Sequence, residues 1–244
     1  MSSSEFPKFY EEPPEFPPPK PPASPVGLLG EWRVLWQIAR SLRNQKRLRS
    51  VPQGKGEVVL LIPGWKAPES SMWPLGWYLR GRGYKAAGWG FGTNQGDPEG
   101  DSQRMASRVE EIVGQTGAPV SLVGWSLGGV VARETARLRP ELVSQVISYG
   151  TPAFGGPTYT LGASAWGEEE CEFISRTVQE WDRDNPIQVP LTVIFSRNDK
   201  VVSWPACIDT TSPKALHVEV GSTHVGMGFD PDVWTLVAER LASK

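Results

Sequence analysis

Short apolar runs alternate with segments of helical periodicity over residues 57–244, and this alternation predicts the fold. Runs typical of buried strands occupy residues 57–62, 84–89, 120–125, 145–149, 191–195 and 216–220. Segments in which apolar residues recur every three or four positions predict helices at 70–82, 101–115, 130–138 and 168–182. Strands that alternate with helices form a mostly parallel sheet with helices on both of its faces. The pattern therefore predicts a doubly wound α/β domain over residues 57–244.

One segment, residues 151–187, breaks this alternation. It contains one predicted helix and is otherwise irregular, with glycine and proline close to its start. Two interpretations stay open: a small cap over a site at the edge of the sheet, or a simple crossover helix that packs on the sheet.

The first 25 residues form a proline-rich tail with clusters such as EEPPEFPPP. A composition of this kind forms no packed core, so the tail is expected to be extended or disordered and surrounded by solvent. Its aromatic residues are unusual for a spacer, and they leave a second interpretation open, docking on the body of the protein or on a partner. These residues are Phe6, Phe9, Tyr10 and Phe16.

Residues 26–56 contain a basic amphipathic helix, predicted over 26–49, and a turn-rich linker. The apolar positions of the helix recur at helical spacing, and six basic residues stand against the single acid Glu31. Such a helix either packs on its own domain or lies in a membrane interface through Trp32 and Trp36. The sequence favours packing and leaves peripheral membrane contact open.

Composition excludes several classes of protein. The net charge of −2 argues against a general nucleic-acid binder. The two cysteines, Cys171 and Cys207, have no metal-ligand spacing, so they are expected to be structural, with a single bridge between them as the alternative. We find neither a run of about 18 apolar residues nor the pattern of a signal peptide, so a cytoplasmic location is expected, with peripheral membrane association left open. The sequence predicts no oligomeric state.

The most informative motif is the pentapeptide Gly124-Trp-Ser-Leu-Gly128, which lies between a predicted strand and a predicted helix. Strand, G-x-S-x-G and helix together are the setting of a nucleophilic serine. The glycines allow a sharp turn that presents the Ser126 hydroxyl at the start of the helix. There the backbone N–H of Leu127 is available to a developing oxyanion.

A nucleophilic serine needs a base and an acid that orients the base. Of the two histidines, His217 lies inside a strand, whereas His224 lies in a loop just beyond the strand end, where an α/β sheet places its site. Asp199 follows the strand 191–195 in the same way and is the predicted acid. Asp209 is the second candidate. Two further carboxylates, Asp182 and Asp184, precede the strand and are therefore disfavoured.

A second oxyanion donor is expected in the loop after the first strand of the domain, Pro63-Gly64-Trp65. Glycine lets the backbone approach a reacting carbonyl closely, and the N–H of Trp65 follows it. A simple Pro-Gly turn would have the same sequence, so this assignment stays open.

The segments GWSLGG, SRNDKVV and GSTHVG resemble the α/β-hydrolase superfamily, and the resemblance covers roughly residues 57–242. The segments LIPGW, GWGFGTNQG, VSLVGWSLGGVVAR and YGTPAFGG are similar to those of bacterial lipase- and esterase-like serine hydrolases. This resemblance implies ester hydrolysis through an acyl-enzyme, without a cofactor and without a metal, by Ser126, Asp199 and His224.

The implied substrate is a small-molecule or lipid ester with an apolar acyl group. Aromatic residues of the site loops are expected to line its pocket, namely Trp89, Trp125 and Phe154. Two other functions stay open. An acyltransferase would use the same triad with an alcohol or amine as acceptor, and a non-catalytic binding protein would use the fold alone.

Overall fold

The computed structural model describes residues 7–22, 48, 50–165 and 167–243, and its centre is a single seven-stranded sheet with the order β1-β7-β6-β5-β4-β2-β3. The strands are β1 Lys8–Tyr10, β2 Val58–Ile62, β3 Lys85–Gly88, β4 Val120–Trp125, β5 Val143–Tyr149, β6 Leu191–Phe195 and β7 Ala215–Glu219. Strands β2 to β7 pair in parallel, and β1 pairs antiparallel with β7. The predicted mostly parallel α/β sheet is confirmed.

Five α helices flank the sheet within the described residues. They are α1 Trp73–Gly81, α2 Pro98–Thr116, α3 Leu127–Leu138, α4 Glu168–Asp184 and α5 Pro231–Ala242. Short 3-10 helices occupy Glu69–Met72, Gly156–Tyr159, Leu161–Ala165, Trp204–Cys207 and Gly226–Phe229. Among the described residues, no helix combines the length and the apolar character that crossing a membrane requires.

Alternate residues of the parallel strands build two separate cores. In β2, Val59 and Leu61 join the core beneath α1 and α5, whereas Leu60 and Ile62 join the core beneath α2 and α3. Successive side chains of a strand point to opposite faces, and both faces are covered, so the strand is apolar throughout. This is why the parallel strands appear in the sequence as continuous apolar runs.

Helix ends follow local signals in the sequence. Asp97 accepts a hydrogen bond from the N–H of Gly100, and Pro98 occupies the first turn of α2. The same Asp-Pro pair begins α5, where the Asp230 carboxylate accepts from the N–H of Asp232. The helix α5 was absent from the sequence-based assignment, although its start signal is present.

The N-terminal segment departs from the expectation of a solvated tail. Residues 8–10 form an edge strand that pairs with β7, with Lys8 opposite Glu219 and Tyr10 opposite His217. The physical reason is that the exposed edge of β7 offers backbone hydrogen bonds that a proline-free tripeptide can take up. The predicted amphipathic helix, 26–49, lies outside the described residues apart from Leu48.

The segment 151–187 contains a crossover helix and contacts the loop after β6, and its role as a cap stays a prediction. Residues 154–161 run beside the loop after β6, because Phe154 N–H donates to Ala206 and Leu161 N–H donates to Val201, each at 2.9 Å. Helix α4 lies between two neighbouring parallel strands in the chain, as a crossover helix does. The indole of Trp181, near its end, donates to Glu134 of α3 at 3.2 Å.

Candidate active site

The turn between β4 and α3 holds Ser126 in an unusual backbone conformation. Its φ of 53° and ψ of −125° lie in a region that residues with a side chain rarely adopt. The turn is fixed on both sides, because the Ser126 N–H donates to the Tyr149 carbonyl and its own carbonyl accepts from Gly129, each at 2.9 Å. Strain held in place by surrounding bonds is a feature of functional turns.

The glycines of the motif are required by close packing. A Cβ on Gly124 would overlap the backbone of Gly128 and Gly129. A Cβ on Gly128 would overlap the carbonyls of Ile62 and Pro63, in the loop after β2. The nucleophile turn and the loop after β2 therefore approach each other at backbone distance.

The predicted acid and base form a buried hydrogen-bonded pair. Nδ1 of His224 lies 2.7 Å from Oδ2 of Asp199, and the two side chains are 4% and 1% exposed. An ionised carboxylate only accepts hydrogen bonds, so the shared proton resides on Nδ1 and Nε2 keeps its lone pair. The second oxygen of Asp199 accepts from the N–H groups of Val201 and Val202, both at 2.8 Å.

The serine turn and the histidine–aspartate pair lie at the same edge of the sheet. The imidazole of His224 lies beside the indole of Trp125, the residue before Ser126, with 5.6 Å between ring centres. Gly150, directly after β5, has a φ of 57°, and a Cβ there would lie 3.0 Å from His224 Nδ1. Loops that follow the carboxyl ends of β4, β5, β6 and β7 therefore converge, as expected for a site in a parallel sheet.

The predicted oxyanion loop lies against the serine turn. A Cβ on Gly64 would be 3.2 Å from the Cβ of Ser126, so a side chain there would crowd the serine turn. Leu127 is the first residue of α3, where the helix itself does not use the N–H. Trp65 is 38% exposed and follows Gly64 directly.

Asn94 is a supporting residue that the sequence pattern did not identify. Its side chain is fully buried and donates to the Pro63 carbonyl at 2.9 Å, and its backbone carbonyl accepts from Lys66 at 2.8 Å. These bonds hold the Pro63–Lys66 loop from the side of β3. The only sequence signal was an asparagine in the glycine-rich segment GTNQG, which is also typical of an ordinary turn.

The other histidine, His217, has a hydrogen-bond partner of its own within the core. His217 is fully buried within β7, and its Nε2 accepts from the N–H of Asp209 at 3.1 Å. Burial lowers the pKa of His217, which keeps the imidazole neutral. The expectation that His217 is a packed side chain agrees with this environment.

Asp209 and Asp182, the alternative acids, belong to a buried ion cluster. Arg133 of α3 lies 2.6 Å from Asp209 and 3.5 Å from Asp182, and Arg137 also contacts Asp182. Burial alone would raise the pKa of Asp209, but the Arg133 charge and hydrogen bonds from Ser212 hold it well below its usual range. This cluster joins α3, which begins at the serine turn, to α4 and to the loop after residue 207.

Replacing Arg133 with alanine is expected to lower the free energy of unfolding by about 3–5 kcal/mol, since two carboxylates would remain buried without their counter-charge. Urea denaturation measures the change. Arg183→Ala is the matched control, because the Arg183–Asp184 pair is exposed and adds little. Equal stability of the two variants would contradict a stabilising role for the cluster.

The predicted pocket residues differ in their environment. Trp125 is half-buried beside His224, and Phe154 stacks on Tyr159 with ring centres 6.0 Å apart. Trp89 is only 1% exposed, packs in the core beneath α2 and α3, and donates its indole N–H to Gly92. Trp89 is therefore a core residue, and its place in a pocket wall is not supported.

Both cysteines have free, buried thiols, so the alternative of a Cys171–Cys207 bridge is not what the structure contains. Burial raises the pKa of both thiols, which is the environment of a structural cysteine. Within the described part of the chain, we find no group of three or more histidine, cysteine, aspartate or glutamate side chains arranged to hold a metal ion.

Comparison with curated proteins gives matches to ester-cleaving enzymes over part of the chain. No family model matches. A stretch of 67 residues is 37% identical to a triacylglycerol lipase of Pseudarthrobacter phenanthrenivorans and covers 27% of this chain and 21% of that lipase. A stretch of 108 residues is 29% identical to a pimeloyl-(acyl-carrier protein) methyl ester esterase of Aliivibrio fischeri, covering 42% of this chain and 40% of the esterase. The chain thus spans less than half the length of these relatives.

Solved structures are similar over most of the chain. Lipase BlEst2 of Bacillus licheniformis superposes with a TM-score of 0.57 at 16% identity, covering 79% of this chain and 94% of the lipase. An α/β-hydrolase enzyme from a lagoon-sediment metagenome superposes with a TM-score of 0.54 at 18% identity, covering 78% and 91%. The chain has the α/β-hydrolase fold, and its structural neighbours include lipases and esterases.

Proposed function

We propose that the protein is a serine carboxylic-ester hydrolase that works through an acyl-enzyme. The observation that carries the proposal is the buried 2.7 Å hydrogen bond between His224 and Asp199, located beside the strained turn of Ser126. A neutral imidazole oriented by a carboxylate is what a serine hydroxyl needs in order to become a nucleophile.

In the proposed mechanism, Nε2 of His224 accepts the proton of the Ser126 hydroxyl while the serine oxygen attacks the ester carbonyl. Asp199 holds the imidazole in the required tautomer and stabilises its cation. The imidazolium then protonates the leaving alcohol, which yields the acyl-enzyme. A water molecule gives its proton to His224, attacks the acyl carbon and regenerates the serine.

The N–H groups of Leu127 and Trp65 are the proposed oxyanion donors. The close approach of Gly64 to Ser126 supports this, because it brings the loop that carries Trp65 next to the reacting oxygen. Each such donor is worth about 2.7–4 kcal/mol in the transition state. The Asn94 side chain would support the second donor by fixing the loop that carries it.

An ester with an apolar acyl group is the proposed substrate class. Trp125 beside His224 and the exposed Trp65 after Gly64 provide aromatic surface at the site, and Phe154 is the third proposed pocket residue. The names of the two curated relatives, a triacylglycerol lipase and a methyl ester esterase, agree with carboxylic esters.

Purified protein is expected to hydrolyse p-nitrophenyl esters of short or medium acyl chains, and His224→Gln is expected to remove this activity because no other side chain takes its place as base. His217→Gln is the matched control, since glutamine can still accept from the N–H of Asp209. A chromogenic assay with both variants measures the difference.

Absence of turnover on every acyl length would contradict the proposed function. Analysis of the acyl products with an added alcohol distinguishes the transferase alternative, since a transferase would form a new ester in place of the free acid.

A further inference from the structure

We propose that Tyr10, in the N-terminal strand β1, is a positioning residue for the Asp199–His224 pair. The proposal rests on the proposed function for its kinetic consequence, but its structural part concerns the pair itself. It makes the N-terminal segment a component of the site, although this segment precedes the α/β domain predicted from sequence.

The first step is a bond from β1 to the end of β7. The Tyr10 hydroxyl donates to Oε2 of Glu219 at 2.9 Å. Glu219 is the last residue of β7 and is 4% exposed, and the loop that carries His224 begins directly after it. Tyr10 is therefore hydrogen-bonded to the last residue of the sheet before the loop that carries His224.

The second step joins the same carboxylate to the loop that carries Asp199. Oε1 of Glu219 accepts from Nε of Arg197 at 3.1 Å, and Arg197 precedes Asp199 by two residues. The Arg197 guanidinium stacks over the indole of Trp204, 4.1 Å from the ring centre. Glu219 is thus shared between β1 and the acid loop.

The third step closes the cluster around both ends of the acid loop. Trp204 stacks on Phe195, the last residue of β6, at 5.6 Å, and Phe195 lies 6.2 Å from the ring of Tyr10. Residues 196–203 lie between Phe195 and Trp204 in the chain, so one cluster holds the loop on each side of Asp199. Asn198 further joins this loop to the histidine loop by donating to Gly221 at 3.0 Å.

The proline-rich continuation of β1 approaches the same loop from a second side. Pro17 and Pro18 line a cleft of about 550 Å³ together with Arg197, Asp199 and Trp204. The N-terminal segment therefore does more than fill an edge of the sheet. It contacts Glu219 and Phe195 through Tyr10 and shares a cleft with the acid loop at Pro17 and Pro18.

Loss of the Tyr10 hydroxyl would free Glu219 and Arg197 to shift and would weaken the fit of Asp199 to His224. A weaker contact lengthens the hydrogen bond between Nδ1 of His224 and Asp199 and leaves the imidazole less firmly oriented. The groups that face this imidazole are the Asp199 carboxylate and the ring of Trp125, with the Cys207 thiol close to Asp199.

The test compares Tyr10→Phe and Glu219→Gln with Tyr78→Phe. The control removes a tyrosine hydroxyl with a 2.9 Å bond of its own, to the Leu48 carbonyl, in the core on the α1 side of the sheet. We expect kcat to fall about threefold to tenfold in Tyr10→Phe, the loss that one ordinary hydrogen bond represents, with KM constant within about twofold. Glu219→Gln is expected to lower kcat in the same direction, because it removes the negative charge that pairs with Arg197.

The second readout is the proton NMR signal of the His224 Nδ1–H that faces Asp199, which needs no substrate. Among the described residues, Nδ1 of His217 has no hydrogen-bond partner, so the ring protons of the two histidines are separable. A short bond to a carboxylate moves such a proton downfield, so we expect the His224 signal to move upfield in Tyr10→Phe and to stay unchanged in Tyr78→Phe.

A Tyr10→Phe variant with the His224 Nδ1–H signal and the kcat of Tyr78→Phe would overturn the proposal, even if its melting temperature were lower. If the wild-type protein hydrolyses no ester, the proposed function fails. The NMR signal still decides whether Tyr10 acts on the Asp199–His224 pair.

Discussion

Replacing Ser126 with alanine is expected to lower kcat for ester hydrolysis by about 10⁶-fold, the loss that follows removal of the nucleophile from a triad. No other hydroxyl replaces it, because the strained turn places this residue alone at the junction of β4 and α3. Steady-state kinetics with a p-nitrophenyl ester measure the loss. Alanine is preferred to glycine here, since glycine would relieve the φ of 53° and change stability at the same time.

Ser121→Ala provides the matched control for this variant. Ser121 lies near the start of β4, the strand that leads to Ser126. It is buried, and its hydroxyl is hydrogen-bonded to that of Ser144 at 2.9 Å. Its activity is expected to stay close to that of the wild type. Comparable activity of the two variants would mean that Ser126 is not the nucleophile.

Replacing Asp199 with asparagine is expected to lower kcat by about 10⁴-fold without a large change in fold. The amide oxygen of asparagine can keep the bonds from Val201 and Val202, which leaves the amide NH₂ facing Nδ1 of His224. That NH₂ donates, so the imidazole proton must move to Nε2, where it blocks acceptance of the serine proton. The pH dependence of kcat/KM of the variant tests the effect on catalysis, and circular dichroism tests whether the fold is kept.

Asp209→Asn separates catalysis from stability. Asp209 is also a buried aspartate that accepts two backbone bonds, from Thr211 and Ser212, but its partner is Arg133. This variant is expected to unfold at lower denaturant concentration and to keep most of its activity. An Asp209→Asn enzyme that is less active than Asp199→Asn, at equal stability, would contradict the assignment of the acid.

The elements that were predictable from sequence share a physical cause. Strands buried on both faces, such as β4 and β6, must be apolar along their whole length, and the sharp turns that follow them need glycine, asparagine or serine. The carboxyl ends of parallel strands lie at one edge, so Ser126, Asp199 and His224 were predictable as loop residues that meet there.

Other features depend on contacts between residues far apart in the chain. Strand β1 exists because β7 has a free edge, and three residues of a proline-rich segment carry no periodic pattern of their own. Trp89 is a large aromatic residue of the kind that lines apolar pockets, yet it packs in the core. The choice between Asp199 and Asp209 became concrete only with the positions of His224 and Arg133.

Helix α5 is a different case, because its signal was present and unused. An aspartate before proline, followed by apolar residues at helical spacing, is typical of a helix start. In the structure Asp230 caps this helix, and Val233, Leu236 and Val237 pack against the sheet. The start of α5 is therefore marked by a local signal in the sequence, whereas the strand β1 depends on pairing with β7 in the complete fold.

The most direct measurement of the central claim is covalent labelling of the native protein with a fluorophosphonate, followed by mass spectrometry of its peptides. This reagent reacts with a serine whose hydroxyl is activated by a neighbouring base and whose oxyanion is stabilised. The account predicts one label per chain, on Ser126, and loss of labelling in His224→Gln but not in His217→Gln. A folded wild-type protein that takes up no label, or takes it up at another serine, would contradict the account.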